Sequence, residues 1–137
     1  MAWVQTTRAL LKGPGVVRNY KYLVFIAHDK EAGTADDGAP CYIVCVPDIN
    51  NGLATEGFGV EDAYGMGRDA ASLILNDIPA WKRPQASPYN RARAKVDEAF
   101  EGIDEAQGLE WHGKWVKMLV PYDENAWHSK YCIRGDE

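Results

Sequence analysis

Two apolar runs, Tyr22-Leu-Val-Phe-Ile-Ala27 and Cys41-Tyr-Ile-Val-Cys-Val46, decide how this chain folds. Each is short and rich in β-branched and aromatic residues. Neither alternates with polar residues, as a half-exposed strand would, so the first is expected to be a strand buried on both faces. Between them Ala32-Gly-Thr-Ala-Asp-Asp-Gly-Ala-Pro40 is polar and turn-forming, which makes the pair a hairpin. Pro47 stops the second run because it has no N–H to donate to a ladder. Asp48-Ile-Asn-Asn-Gly52 is a turn of residues that tolerate positive φ, with Asp48 expected to bond its own backbone. Leu53-Ala-Thr-Glu-Gly57 reads as a third, short strand completing an antiparallel meander.

The period changes after Gly59. Ala63, Met66, Ala70, Leu73, Ile74 and Asp77 recur at steps of three and four, a helical stripe that ends before Pro79. Gly59 is the expected N-cap, and Glu61 and Asp62 fall in the first turn, where the helix dipole favours acids. Gly65 and Gly67 each cost about 1 kcal/mol of helix propensity relative to Ala. Such a cost points to close packing of the helix on the sheet. Ala80 to Pro88 reads as an extended linker. A second amphipathic helix, over residues 90–106, is marked by Ala92, Val96, Ala99, Phe100 and Ile103 and closed by Gly108. Trp111 to Val120 reads as a fourth strand, with Val116, Met118 and Val120 on one side and Trp115, Lys117 and Leu119 on the other. A short helix is expected within 123–131, and residues 1–19 read as an appendage to a single domain over 20–137.

Bulk properties narrow the function. The chain has 137 residues, 46% hydrophobic and 26% charged, with a net charge of −5. An acidic balance disfavours phosphate backbones and favours a basic protein partner. The sequence has no apolar run of about 18 residues to span a membrane and no secretory leader, so a cytoplasmic protein is expected. The odd number of cysteines, Cys41, Cys45 and Cys132, suits a reducing compartment. Cys41 and Cys45 would lie about 13 Å apart along a strand, too far to pair, and read as small packing residues.

The segment from Tyr22 to Pro88 resembles the HicB antitoxin family. The resemblance is carried by Tyr42-Ile-Val-Cys-Val-Pro47-Asp48-Ile49, Gly52, Thr55-Glu56-Gly57, Glu61-Asp62-Ala63, Asp69-Ala70-Ala71 and the Pro-rich Pro84-Gln85-Ala86-Ser87-Pro88. Lys114 to Val120 corresponds to the family's last strand, and Asn125 to Tyr131 to the short helical segment after it. The resemblance implies an α+β fold, a β-β-β-α-β antiparallel sheet with one packed helix, described as a degenerate ribonuclease H-like half. The helix near 90–106 and residues 1–19 are additions to that pattern.

The function implied is that of an antitoxin which binds and sterically inhibits a small basic HicA-like toxin that cleaves messenger RNA. Tyr42, Asp48, Thr55 and Glu56 are the residues placed by this resemblance near the partner surface. Family members often continue into a DNA-binding module; here the chain stops at Glu137, so no DNA binding is expected of it. A homodimer or higher homo-oligomer is expected, because a four-stranded sheet leaves edges to be paired, covered or charged.

Other chemistries were weighed on the residues. A metal-dependent nuclease on the same fold, the alternative function, needs carboxylates converging on two metal ions about 4 Å apart. Asp29, Asp48, Glu56 and Asp69 are the candidates, and their sequence contexts suggest turn and surface roles. A toxin of this system would carry Gly-Ser-His in a strand, whereas His112 stands in Glu110-Trp111-His112-Gly113. No phosphate loop and no Ser, His and acid set for nucleophilic catalysis is present. The basic run Lys82, Arg83, Arg91, Arg93, Lys95 is followed at once by acids and reads as a solvated face. No enzyme, metal or cofactor is therefore expected; a self-associating or ligand-binding domain is the remaining alternative. Of five tryptophans, one or two are expected at an interface.

Overall fold

The computed structural model describes residues 20–103 and 108–120. They contain four strands, β1 (Lys21–His28), β2 (Cys41–Val46), β3 (Leu53–Phe58) and β4 (His112–Lys117), and two α-helices, α1 (Val60–Asn76) and α2 (Tyr89–Ala99). The strands form one antiparallel sheet in the order β3-β2-β1-β4. The fold is α+β, as expected. Residues Ile78–Arg83 belong to a unit separate from this sheet domain. That segment is a 3₁₀ turn at Ala80–Lys82 with the Arg83 Nε bonded to the Ile78 carbonyl, where an extended linker was expected. The appendage at 1–19, the helix expected within 123–131 and Cys132 lie outside the described residues.

Six consecutive residues of β1, Tyr22 to Ala27, are buried. Their side chains alternate between two cores. Tyr22, Val24 and Ile26 pack with Val44, Val46 and Ile49 against Ala63, Ala71 and Leu75 of α1. Leu23 and Phe25 pack with Cys45 against Ala92 and Val96 of α2. The helix expected in addition to the one packed on the sheet thus covers β1 on its second face. It is also shorter than read: α2 ends at Ala99, and Ile103 lies beyond it, past a Phe100 ring that packs tilted against Trp111 with centroids 5.0 Å apart.

The inward stripe of α1 differs by one residue from its sequence reading. The buried positions are Ala63, Gly67, Ala71, Ser72 and Leu75, whereas Leu73 is 71% exposed and Met66 40%. Asp77 is the C-cap and no longer helical. The reason is steric. A Cβ built on Gly67 would lie 2.7 Å from Val24 Cγ1 and 2.9 Å from Val44 Cγ1, so the helix backbone rests directly on the sheet. Close approach selects small residues for the contact line and leaves larger ones to flank it. Gly65, read in the same way, meets nothing within 4 Å.

Polar groups fix the ends. The Ser72 hydroxyl accepts the Leu119 N–H at 2.8 Å while donating to the Arg68 carbonyl. Asn76 Nδ2 donates to the Leu119 carbonyl. Both backbone groups of Leu119 are therefore held by α1, just past the end of β4. The turn after β2 uses positive φ at Asn50, Asn51 and Gly52, as their composition suggested. Among the described residues no helix is long and apolar enough to cross a membrane.

The two helical glycines should respond oppositely to alanine. Gly67→Ala gains about 1 kcal/mol of propensity but forces a methyl into stiff valine side chains, and overpacking of that kind costs about 1–3 kcal/mol. A net loss of up to about 2 kcal/mol in urea unfolding is expected. Gly65→Ala should gain about 0.5–1 kcal/mol. If both substitutions stabilise, α1 does not sit this close to the sheet.

Candidate functional site

One end of the sheet gathers the chemistry. The C-terminal end of β1, the start of β2, the end of β3 and the start of β4 all lie there, as the registers His28↔Tyr42, Tyr42↔Gly57 and Ile26↔His112 require. The loop from Asp29 to Pro40 closes this end, held by the Asp29 carboxylate on the Glu31 and Ala32 N–H groups. The Gly59 N–H bonds the Pro40 carbonyl, which brings the first turn of α1 beside that loop.

Carboxylates crowd here. Asp29, Glu31, Asp36 and Asp37 stand on the loop, Glu56 on β3, and Glu61 and Asp62 on the first turn of α1; Lys30 is the one basic side chain in these segments. All but the half-buried Asp29 are exposed. Asp62 is partly engaged, accepting the Phe58 N–H at 2.9 Å. Phe58 (41% exposed) and Val60 (48%) lie among them. The result is a strongly acidic surface with two apolar side chains exposed beside it.

A cleft of about 310 Å³ opens at the same end, between the sheet and α1, lined by His28, Lys30, Tyr42, Tyr64, Glu110 and His112. The His28 and Tyr42 rings are 5.6 Å apart. The Tyr64 hydroxyl donates to the His112 carbonyl at 3.2 Å, and burial holds its ionisation above the usual phenol range. The Lys114 ammonium lies 5.3 Å from the centre of the Tyr64 ring. His28 and His112 sit on strands whose pairing the sequence does not reveal, so the cleft was not foreseen.

The four residues placed at the partner surface by family resemblance are divided by the structure. Tyr42, half-buried, lines the cleft; Thr55, half-buried, pairs with Val44 on the same face of the sheet. Glu56 is exposed on the opposite face, with its Oε1 3.7 Å from the Cys41 thiol. Asp48 is elsewhere, at the far end of β2. Its side chain is only 2% exposed and accepts the Ser87 N–H, the Ser87 hydroxyl and the Lys95 ammonium, each at 2.7 Å. Burial alone would raise its pKa, but Lys95 and the two Ser87 donors outweigh that and hold the carboxyl below its usual range.

Asp48 is therefore an internal tether between the β2 turn and α2, not a surface group and not a self-bonded turn residue. Lys95, read as part of a solvated face, keeps its side chain 43% exposed but turns its ammonium onto Asp48. Ser87 and Lys95 were missed because their significance lies in a partner 39 and 47 residues away.

The other acids considered for metal chemistry are dispersed. Asp69 pairs with the adjacent Arg68 at 2.9 Å, and Asp29 caps its own turn. Among the described residues no group of three or more His, Cys, Asp or Glu side chains is arranged to hold a metal ion. Cys41 and Cys45 are free and buried, and burial pushes the Cys45 thiol up to about 12, so it packs as an apolar group.

No family model, curated protein or solved structure matches this chain. The resemblance to the HicB family rests on the sequence motifs alone.

Asp48→Asn should destabilise the domain by about 2 kcal/mol at neutral pH, since charge-assisted hydrogen bonds are worth about 1.5–3 kcal/mol and Lys95 can turn to solvent. The carboxyl is held low in the folded state, so its contribution is complete above its unfolded value, about pH 4, and is lost as pH falls below that. The difference between wild type and variant should then shrink on acidification, as followed by urea unfolding at pH 7 and pH 3. A difference that is the same at both would contradict the tether.

Proposed function

We propose that the chain is a HicB-like antitoxin domain, a stoichiometric inhibitor that binds a small basic ribonuclease and denies it access to messenger RNA. The observation that carries this reading is the acidic end of the sheet. Seven carboxylates stand on the loop after β1, on β3 and on the first turn of α1, and Phe58 and Val60 are exposed in the same segments. Charge beside exposed apolar side chains suits a protein interface, where the charge steers the partner in and the apolar groups supply the desolvated contact. Clustered carboxylates repel one another, and a basic partner relieves that repulsion.

Glu56 lies on this surface, Tyr42 and Thr55 lie next to it on the other face of the same hairpin, and Asp48 acts from inside by holding α2 to the sheet. Of the motifs shared with the antitoxin family, Thr55-Glu56-Gly57 and Glu61-Asp62-Ala63 fall on β3 and α1 at the acidic end. Inhibition by occlusion requires no chemistry from the chain itself. It acts in the cytoplasm, where messenger RNA and the toxin are found.

Tagged chain purified from its native host should carry a small basic protein at near one-to-one ratio. That protein should cleave messenger RNA alone and stop when the chain is added back in equal amount. The triple variant Glu31→Lys, Asp36→Lys, Glu56→Lys changes exposed groups and should melt as wild type does, yet bind at least tenfold more weakly, with wild-type affinity falling as salt rises. Recovery of the chain as a homo-oligomer alone, or binding indifferent to the triple change, would sink the inhibitor reading.

A further inference from the structure

The register leaves the outer edge of β4 open. Pairing of Lys21–Ile26 with His112–Lys117 continues to Met118, whose N–H donates to the Tyr20 carbonyl at 2.7 Å. Backbone groups in an antiparallel ladder point alternately to either side. His112, Lys114, Val116 and Met118 therefore bond β1, and Gly113, Trp115, Lys117 and Leu119 turn their N–H and C=O groups outward. At Leu119 this open edge ends, because Ser72 holds its N–H and Asn76 its carbonyl. Among the described residues none bonds the outward groups of Gly113, Trp115 and Lys117.

A depression of about 420 Å³ runs along this edge between α1 and β4, lined by Tyr64 and Arg68 of the helix and by Lys114 and Val116 of the strand. Glu61 is the one carboxylate in its lining. Lys114 and Val116 share the α1 face with Val24 and Tyr22, their partners in β1. Trp115, 48% exposed, and Lys117 share the other face with Leu23 and Lys21. The edge thus carries an exposed cation on each face, Lys114 on one and Lys117 beside Lys21 on the other. No described carboxylate pairs with any of the three.

We infer that this edge receives an extended acidic segment of a partner protein as a fifth strand. Lysines on an edge deter a second copy of the same basic edge, and an acidic strand reverses that repulsion. In strand addition the main-chain bonds, here to Gly113, Trp115 and Lys117, supply affinity, and alternate side chains supply specificity. Residues paired across a ladder share a face. The added strand accordingly places acids opposite Lys114 and Lys117 and apolar residues opposite Trp115 and Val116. That motif, acid-apolar-apolar-acid, is the same read in either direction, so it serves a parallel or an antiparallel strand. The inference is independent of the antitoxin reading, which concerns the acidic end and a basic partner.

The test is fluorescence anisotropy of the purified chain with a dye-labelled peptide, Thr-Thr-Glu-Val-Phe-Glu-Thr-Thr, at low salt. Comparators are the peptide with Lys for both Glu, and two forms N-methylated at one or the other set of alternate amides. Binding should weaken as salt rises, and at least tenfold in the double variant Lys114→Glu, Lys117→Glu, whose positions are exposed and whose melting should be unchanged. One N-methylated form should bind as the parent peptide does and the other should fail. Hydrogen exchange at the Gly113, Trp115 and Lys117 amides should be fast in the free chain and slow in the complex. The inference is overturned by no binding, by equal binding of the lysine peptide, or by affinity unchanged in the double variant. Like behaviour of the two N-methylated forms would overturn it too, as would slow exchange at those amides in the free chain because a second copy occupies the edge.

Discussion

The two-sided burial of β1 is the constraint from which the rest follows. Tyr22 to Ala27 contribute side chains to both faces, so neither face of the sheet can be left to solvent. One helix covers each, and the two are secured by different means. Helix α1 is pressed onto the valines of β1 and β2 through Gly67, Ala63 and Ala71, and then grips the backbone of Leu119 through Ser72 and Asn76. Helix α2 makes a smaller apolar contact through Ala92 and Val96 and depends on the Asp48–Ser87–Lys95 network at its start. On the same face Phe25 takes the space above Gly113 of β4, where a Cβ would come within 2.5 Å of its ring.

With both faces of β1 covered, the exposed parts of the sheet are the outer strands and the ends. An uncovered edge is a template for unwanted strand pairing, and charge is one way proteins guard it. On β4 that charge is Lys114 and Lys117; on β3 it is Glu56. The sheet thereby acquires a sense of direction, basic at one edge and acidic at the other, with the loop from Asp29 to Pro40 and the first turn of α1 adding to the acidic side. A single net charge of −5 conceals this arrangement.

The strands were legible because hydropathy and turn chemistry agree there. Tyr22–Ala27 and Cys41–Val46 are continuous apolar runs, and the Asp-Ile-Asn-Asn-Gly turn adopts the positive φ its composition suggests. Helix α1 was legible in extent but not in orientation, since ranking residues by apolarity favours Met66 and Leu73 over Gly67 and Ser72. Where helix and sheet nearly touch, volume and not hydropathy selects the residue. The covering role of α2 was hidden for a different reason: its anchor, Asp48, sits in a turn where a local hydrogen bond is the ordinary reading. The acidic end and the groove depend on which strands lie side by side. That β1 pairs with β4 across almost ninety intervening residues is not written in any local pattern.

The central claim, under the proposed function, is that the acidic end of the sheet receives a basic partner, and chemical-shift mapping on the isotope-labelled chain tests it most directly. Titration with a hexalysine peptide should move the backbone amides of Asp36, Asp37 and Glu56 and leave those of Lys95 and Val96 on α2 in place. Perturbation spread evenly over the domain, or none at the acidic residues, would contradict it.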